Sequence, residues 1–331
     1  MKPPRVVISM GDPTGIGPEV AVAALLRGGL RRSVTPILVG DLGVYDAALQ
    51  QLGAAVRGVA WVPPAPLPRG AFAVRVTSAL SSRARHPGRS TADGGRAAHA
   101  AILEAVRLIG EGLADALVTA PISKANLAAA GLATTGHTEL LAALAGGVPV
   151  RMMMAGPRLR VVLVTTHLPL AAVPTAITTP LVLETLRIAD RALRKQFGLR
   201  RPRLAVAGLN PHAGDQGLFG DEEIRLIAPA VRAARRAGID ARGPLGADSA
   251  FPHALAGQFD AVVCMYHDQG LAPFKLLHFA DGVNITLGLP FVRTSPDHGT
   301  AHDIAGRAIA DWRSMAAALR LAASLAGRQY G

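Results

Sequence analysis

Three histidines fall at equivalent places after three apolar runs: VVLVTTH ends in His167, LAVAGLNPH in His212, and AVVCMYHD carries His267 followed by Asp268. In open α/β sheets ligands bind just beyond the carboxyl ends of the strands, so each imidazole stands where a site is built. The spacings of 45 and 55 residues each accommodate a helical crossover and a return strand, and the three side chains are predicted to converge on one edge of a sheet. Any one such histidine reads first as structural; three at matching positions, in a chain with ten histidines, read as a shared site. Imidazole suits zinc and similar divalent ions, and three protein ligands leave room for water or substrate, which is the catalytic arrangement. The one cysteine, Cys264, supplies neither an intrachain disulfide nor the paired thiolates of a structural zinc site. Two carboxylates, Asp248 in GPLGADSAF and Asp268, lie near strand ends and read either as a base or as turn and cap residues.

A second set of residues suits an anion. His137 in GHTE follows Gly136 at a predicted helix start, and with Thr138 it puts donor groups beside the positive end of a helix, where anions are held. A cap neighbour with no role is the alternative. Lys275, Asn284 and Arg293 lie in KLLHFADGVNITLGLPFVRTS, soon after His267, where an ammonium and a planar guanidinium read as an anion clamp. The glycine-rich GDPTGIGPE at residues 11–19 follows a strand and opens a helix at Pro18, but it has no lysine for a P-loop and Val20 stands where a dinucleotide fingerprint needs glycine. A tight structural turn bearing Asp12 is the expected outcome. DHGTAHDIAG is predicted to be a turn with Asp297 or Thr300 capping a helix.

Short apolar runs alternate with amphipathic stretches throughout, the pattern of an α/β protein with a largely parallel sheet. Val6 to Met10, Ile37 to Gly40, Ala116 to Ala120, Leu204 to Gly208 and Ala261 to Met265 read as buried strands. RMMMAGPRLRVVLVTT reads as an antiparallel hairpin around Gly156-Pro157. Thr179 before Pro180 is predicted to cap a helix that ends near Gly198, and Asp221 to cap one running to about Gly238.

At 331 residues the chain is long enough for about two domains. Half its residues are hydrophobic and 18% charged, which excludes disordered and fibrous classes. The net charge of +12 rests on 31 arginines and only four lysines, with 4% aromatics available to stack bases, so solvated helix faces explain it better than nucleic acid does. The stretch from Val161 to Leu183 has no Asp, Glu, Lys or Arg, but it holds His167, five threonines and three prolines and is not predicted to be a membrane helix. No secretory signal is read at the N-terminus, and a cytoplasmic location is expected.

Taken together, ISMGDPTGIGPE, VTAPISK, GHTE, the histidine after VVLVTT, GLNPHAGDQGLFGDEE, MYHDQGLAPFK and NITLGLPFVRTSPDHGTAHDIAG resemble the 4-hydroxythreonine-4-phosphate dehydrogenase (PdxA) family of vitamin B6 biosynthesis. The resemblance runs nearly end to end. It implies an isocitrate and isopropylmalate dehydrogenase-like fold, two α/β/α domains around a cleft, with residues 1–125 plus 295–331 in the first and 126–294 in the second. It implies a homodimer with active sites at the subunit interface, a divalent metal (zinc, magnesium or cobalt) on His167, His212 and His267, and substrate contacts from His137, Thr138, Lys275, Asn284 and Arg293. His298, Gly299, Thr300, Ala301 and Asp303 would belong to a loop for NAD, with NADP as the alternative. The implied reaction is oxidation of 4-phosphooxy-L-threonine at its 3-hydroxyl followed by decarboxylation, with Asp248 and Asp268 as candidates for the base. Gly246 and Ser249 depart from the family's proline and threonine. Relatives of this type oxidise phosphorylated threonate or erythronate, or an aromatic dihydrodiol, and a metal-dependent phosphometabolite-binding protein is the non-enzyme alternative.

Overall fold

The computed structural model describes residues 2–30, 33–89, 91–132 and 136–329. In chain order the first stretch holds β1 (Arg5–Ser9), α1 (Gly17–Arg27), β2 (Thr35–Asp41), α2 (Leu42–Gln51), β3 (Gly58–Ala60), β4 (Phe72–Ser78), α3 (Ala92–Gly110), β5 (Ala116–Thr119), α4 (Lys124–Ala129) and α5 (His137–Leu144). There follow β6 (Arg151–Ala155), β7 (Arg160–Leu163), the short α6 (Val173–Ala176), α7 (Thr179–Lys195), β8 (Arg203–Ala207), α8 (Ala228–Arg236), β9 (Asp240–Leu245), α9 (Ala247–Leu255), β10 (Ala261–Cys264), α10 (His267–His278) and β11 (Val283–Leu287). The chain closes with β12 (Val292–Pro296) and α11 (Arg313–Gln329). All five predicted strands are present.

The contacts divide the chain into two α/β units, Met1–Val148 with Leu289–Gly331, and Pro149–Gly288. Residues 126–148 and 289–294, expected in the second domain, group with the first: α4 packs on α3 and β12 pairs in parallel with β5, Val292 opposite Ala116.

In the first unit the strands run in the order β3-β4-β2-β1-β5-β12, all parallel. The middle of β1, Val6 to Ile8, and of β2, Ile37 to Val39, is fully buried, which is why these strands read as continuous apolar runs rather than as alternation. Helix α3 packs across β1, β2 and β4, and α11 across β12 and β5. The glycines of GDPTGIGPE answer to crowding: a Cβ on Gly11, which sits at φ +70°, would meet Pro121 O at 2.4 Å, and one on Gly15 would meet Thr300 O at 2.8 Å. The motif is a tight turn against neighbouring backbone, as its failed fingerprints implied.

In the second unit the order is β11-β6-β7-β10-β8-β9. The β6–β7 hairpin is antiparallel, as is β11 on β6, while β7, β10, β8 and β9 run parallel. The uncharged run from Val161 to Leu183 becomes β7, turns, α6 and the start of α7. Among the described residues no helix is long and apolar enough to cross a membrane.

Three local expectations are corrected. The cap of α7 is Thr178, whose side chain accepts from Leu181 N, while Thr179 Oγ1 donates to Leu226 O at 2.9 Å; with two adjacent threonines, the one in extended conformation takes the cap. Asp221 pairs with Arg225 one turn on and is followed by a π-turn at Glu223–Ile227 before α8 begins. DHGTAHDIAG is a run of turns with no helix; the next helix, α11, starts only at Arg313, whose N–H is held by Asp311.

Candidate active site

The strand ends that precede the three histidines are tied to one another. Past β7 and β10, Val164 N donates to Cys264 O at 2.9 Å and Thr165 N to Met265 O at 3.2 Å, and Thr165 Oγ1 adds a bond to Met265 O at 2.7 Å. Gln269, two residues after His267, accepts from Met265 N on Oε1 and donates from Nε2 to Gly208 O, both at 2.7 Å. Gly208 N in turn donates to Leu245 O. A single amide thus spans the gap that opens between β10 and β8 as they diverge, and it satisfies two backbone groups there.

From these anchored ends the histidines project into solvent. His167 and His212 are exposed and His267 is partly so. The rings of His167 and His267 lie 5.6 Å apart between centroids. His267 Nδ1 is 2.7 Å from Asp268 Oδ1, an arrangement in which Nδ1–H is donated and Nε2 is left with its lone pair for a metal. His212 Nδ1 stands 4.0 Å from Asp248 Oδ2, itself exposed at the start of α9. Among the described residues of one chain, no group of three or more His, Cys, Asp or Glu is gathered closely enough to hold an ion.

His212 opens an unusual stretch. It and Ala213, Gly214, Asp215 and Gln216 all have positive φ, between 41° and 81°. Non-glycine residues adopt this left-handed form at a cost of about 1–2 kcal/mol each, so four among five consecutive residues must be held in place. The buried Glu223 fixes the two residues that lead into the stretch: Oε1 accepts from Leu209 N and Asn210 N at 2.7 Å, and Oε2 accepts from Asn210 Nδ2 at 3.0 Å. A Cβ on Gly214 would come within 2.8 Å of Glu223 Oε2 and of Gly220 O, so the carboxylate fits under the loop only with glycine there.

The anion-binding candidates have a distinct environment. His137 opens α5, as expected, with Thr138 next to it. Its Nε2 is buried and finds no hydrogen-bond partner among the described residues. Burial, reinforced by the charge of Arg293, holds its pKa well below 6.5, so the ring is neutral at pH 7. Arg293 on β12 is buried and donates from Nη2 to Thr119 Oγ1 at 2.6 Å. Burial lowers its pKa to about 10, against the opposing pull of Glu139, and it remains cationic at neutral pH. In the second unit, Lys275 lies on α10 and Asn284 on β11, the latter with a buried Oδ1 that has no partner among the described residues.

The loop His298–Asp303 is anchored from below by GDPTGIGPE. Ile16 N donates to Thr300 O, and His302 Nε2 lies 3.0 Å from Asp12 Oδ2. Asp12 is buried and fully used, its other contacts being Thr14 N, Thr14 Oγ1 and Asn126 Nδ2. Glu19 Oε2 accepts from Gly306 N at 3.0 Å. Ala301 and Ala308 have φ of 40° and 55°, and Gly299 faces open space.

Gln269 and Glu223 lie within the motifs MYHDQG and GDEE, but neither residue type announces its part. Both act on backbone atoms, and residue type alone does not say which backbone groups a polar side chain will meet.

Residues 32–322 match the family described as pyridoxal phosphate biosynthetic protein PdxA. The chain belongs to the PdxA family. A 4-hydroxythreonine-4-phosphate dehydrogenase of Geobacter metallireducens is 52% identical over 98% of this chain and 96% of its own. The crystal structure of 4-hydroxythreonine-4-phosphate dehydrogenase from Klebsiella pneumoniae superposes with TM-score 0.89 at 42% identity, covering 98% of both chains. A terephthalate 1,2-cis-dihydrodiol dehydrogenase of Burkholderia xenovorans has TM-score 0.67 at 31% identity, covering 97% of this chain and 98% of its own. As a member of the PdxA family the chain is an oxidoreductase of pyridoxal phosphate biosynthesis.

Proposed function

We propose that the chain oxidises 4-phosphooxy-L-threonine with NAD to 2-amino-3-oxo-4-phosphooxybutanoate, which decarboxylates to 3-amino-2-oxopropyl phosphate, and that it works as a cytoplasmic homodimer. The observation that carries this reading is identity along the whole chain to relatives named for that substrate. NADP in place of NAD remains within the same chemistry.

The donor set fits a divalent metal. Three imidazoles, one already turned by a carboxylate so that Nε2 is available, suit zinc or cobalt, and magnesium less well. His167, His212 and His267 would hold the ion, and because the described residues of one chain gather no complete set, the ligands are read as coming from two copies. Residues His298, Gly299, Thr300, Ala301 and Asp303 would meet the NAD, on a loop pinned beneath and open above. When bound, the ion supplies Lewis-acid polarisation of the substrate hydroxyl and NAD the hydride acceptor.

The chain's own residues do the rest. Arg293 and Lys275 bind the phosphate with two cations, one buried and therefore little screened. Neutral His137, with Thr138 and Asn284, offers directional hydrogen bonds without adding charge. Asp248 or Asp268 takes the hydroxyl proton; Asp268 also orients His267. The ketone so formed lies beta to the carboxylate, which makes carbon dioxide a ready leaving group.

A second reading, oxidation of 4-phosphothreonate or 4-phosphoerythronate, is kept because Gly246 and Ser249, near Asp248, depart from the family's proline and threonine. Ser249 Oγ donates to Gly246 O at 2.9 Å and closes the turn that presents that carboxylate. The test is NADH formation by the metal-loaded enzyme with each substrate. A kcat/KM for the amino acid at least about tenfold above those for the sugar acids is expected, the worth of one hydrogen bond to its ammonium. A faster rate with a phosphorylated sugar acid would select the second reading; binding without NADH would remove the dehydrogenase assignment.

A further inference from the structure

We infer that Glu223 is a positioning residue for His212: its buried carboxylate holds the left-handed loop that presents the imidazole, and so sets the affinity of the metal site. The inference deepens the metal reading proposed above and rests on it in part.

Residues 212–216 have no ladder partner, since β8 ends at Ala207, and their positive φ values give them no intrinsic preference for the shape they adopt. The loop's own hydrogen bonds, Ala213 N to Asn210 O and Phe219 N to Gly214 O at 3.1 Å each, close the turns but do not tie the loop to the sheet. That anchor has to come from outside. It enters at Leu209 and Asn210, where both N–H groups converge on one oxygen of Glu223. The Asn210 side chain is gripped as well, its amide nitrogen donating to Glu223 Oε2 and to Glu222 Oε2 at 2.8 Å. A carboxylate accepting three such bonds is stronger than an amide or hydroxyl in its place, because each bond is charge-assisted.

The anchor is itself unusual. Glu223 opens a π-turn, Glu223–Ile227, ahead of α8. Such turns insert one extra residue and are concentrated at functional sites. The sequence spends two further restrictions on the same contact: Gly214, where a Cβ would strike Glu223 Oε2, and Gly220, where one would strike Asn210 Nδ2 at 2.6 Å. Binding a metal through a mobile imidazole requires ordering the loop at the moment of binding, whereas a loop ordered in advance leaves that cost to folding.

The test compares wild type, Glu223→Asp, Glu223→Gln and Glu223→Ala with His212→Ala, titrating the metal-free protein with Co²⁺ and reading the visible absorption. Backbone hydrogen exchange over residues 209–217 is measured on the same metal-free samples by mass spectrometry. Glu223→Asp, whose carboxylate is one methylene too short to reach, is expected to weaken Co²⁺ binding at least about tenfold and to speed exchange. Glu223→Gln retains one oxygen for the two N–H groups but loses the charge and the acceptor for Asn210 Nδ2, and is expected to fall between wild type and Glu223→Asp. Glu223→Ala should resemble Glu223→Asp where it folds, and the aspartate variant decides where it does not. Weaker binding in His212→Ala together with unchanged binding in a folded Glu223→Asp would overturn the inference. Should His212→Ala bind Co²⁺ as wild type does, the metal reading fails; exchange then decides Glu223 separately, unchanged protection in Glu223→Asp sinking its hold on the loop and faster exchange upholding it.

Discussion

Individual side chains at this site do two kinds of work, and only one kind is visible in their type. His167, His212, His267, His137 and Arg293 stand out because imidazole and guanidinium after an apolar run invite chemistry. Gln269 does not, although it bridges Met265 N and Gly208 O. Removing it in Gln269→Ala leaves two backbone groups without partners, a loss of about 2–4 kcal/mol if both are buried away from water. A lower urea midpoint with an unchanged m-value is the expected signature, and an unshifted midpoint would show that water replaces the amide. His137 carries a pH signature of its own. Its folded pKa lies below the unfolded value of 6.5, so the unfolded chain takes up the proton first as the pH falls. Its contribution to stability is therefore complete above about pH 6.5 and is lost progressively below it, at a rate of up to about 1.4 kcal/mol per pH unit. Urea midpoints at pH 8 and pH 5 should differ less in His137→Asn than in wild type.

At the scale of elements, strands were the most legible part of the sequence because burial on both faces writes them as uninterrupted apolar runs, and the hairpin at Gly156-Pro157 was marked by its turn. Termini were less so. Whether Thr178 or Thr179 caps α7 depends on which has extended backbone, and both are good cap residues. The segment after β12 looked like a helix start, yet its carbonyls and amides are claimed by distant partners: Thr300 O by Ile16 N, Gly306 N by Glu19. No local pattern reports a bond across nearly 290 residues. This arrangement gives the glycine-rich turn a task that its sequence did not disclose, which is to hold the loop proposed to meet NAD. Asp12→Ala removes the acceptor for His302, Asn126 and Thr14 together. The expected result is a KM for NAD raised about tenfold or more with kcat changed far less, since the loop binds cofactor in both ground and transition states. Equal losses in kcat and kcat/KM would instead put Asp12 at the reacting atoms.

For the molecule as a whole, the surface around the histidines argues for a second copy. His167 is followed by Leu168 and Leu170, the latter 70% exposed, and His212 by Leu218 and Phe219, the former 73% exposed. On α10, which begins at His267, Leu276 is 87% exposed, and Phe279, the cap residue just past its end, is 81% exposed; three residues apart, they share a face. Large apolar side chains scattered singly over a surface are ordinary; exposed pairs on each of the three segments that carry a proposed ligand are the kind of surface that a partner covers. Burying one such side chain contributes about 1.5–3 kcal/mol, so Leu276→Asp with Phe279→Asp should shift the protein from dimer to monomer in sedimentation at micromolar concentration. The proposal that the metal ligands come from two copies makes a stricter demand. The inactive His212→Ala and His267→Ala chains, mixed and allowed to exchange subunits, should recover activity, because half of the sites in a heterodimer would then receive an intact set if these two ligands belong to different copies. The aspartate double variant should be inactive yet folded, with unchanged far-ultraviolet circular dichroism. A heterodimer verified by mass spectrometry that regains no activity would place both histidines on one chain, and the exposed leucines and phenylalanines would then serve an interface that leaves the metal site whole within each copy.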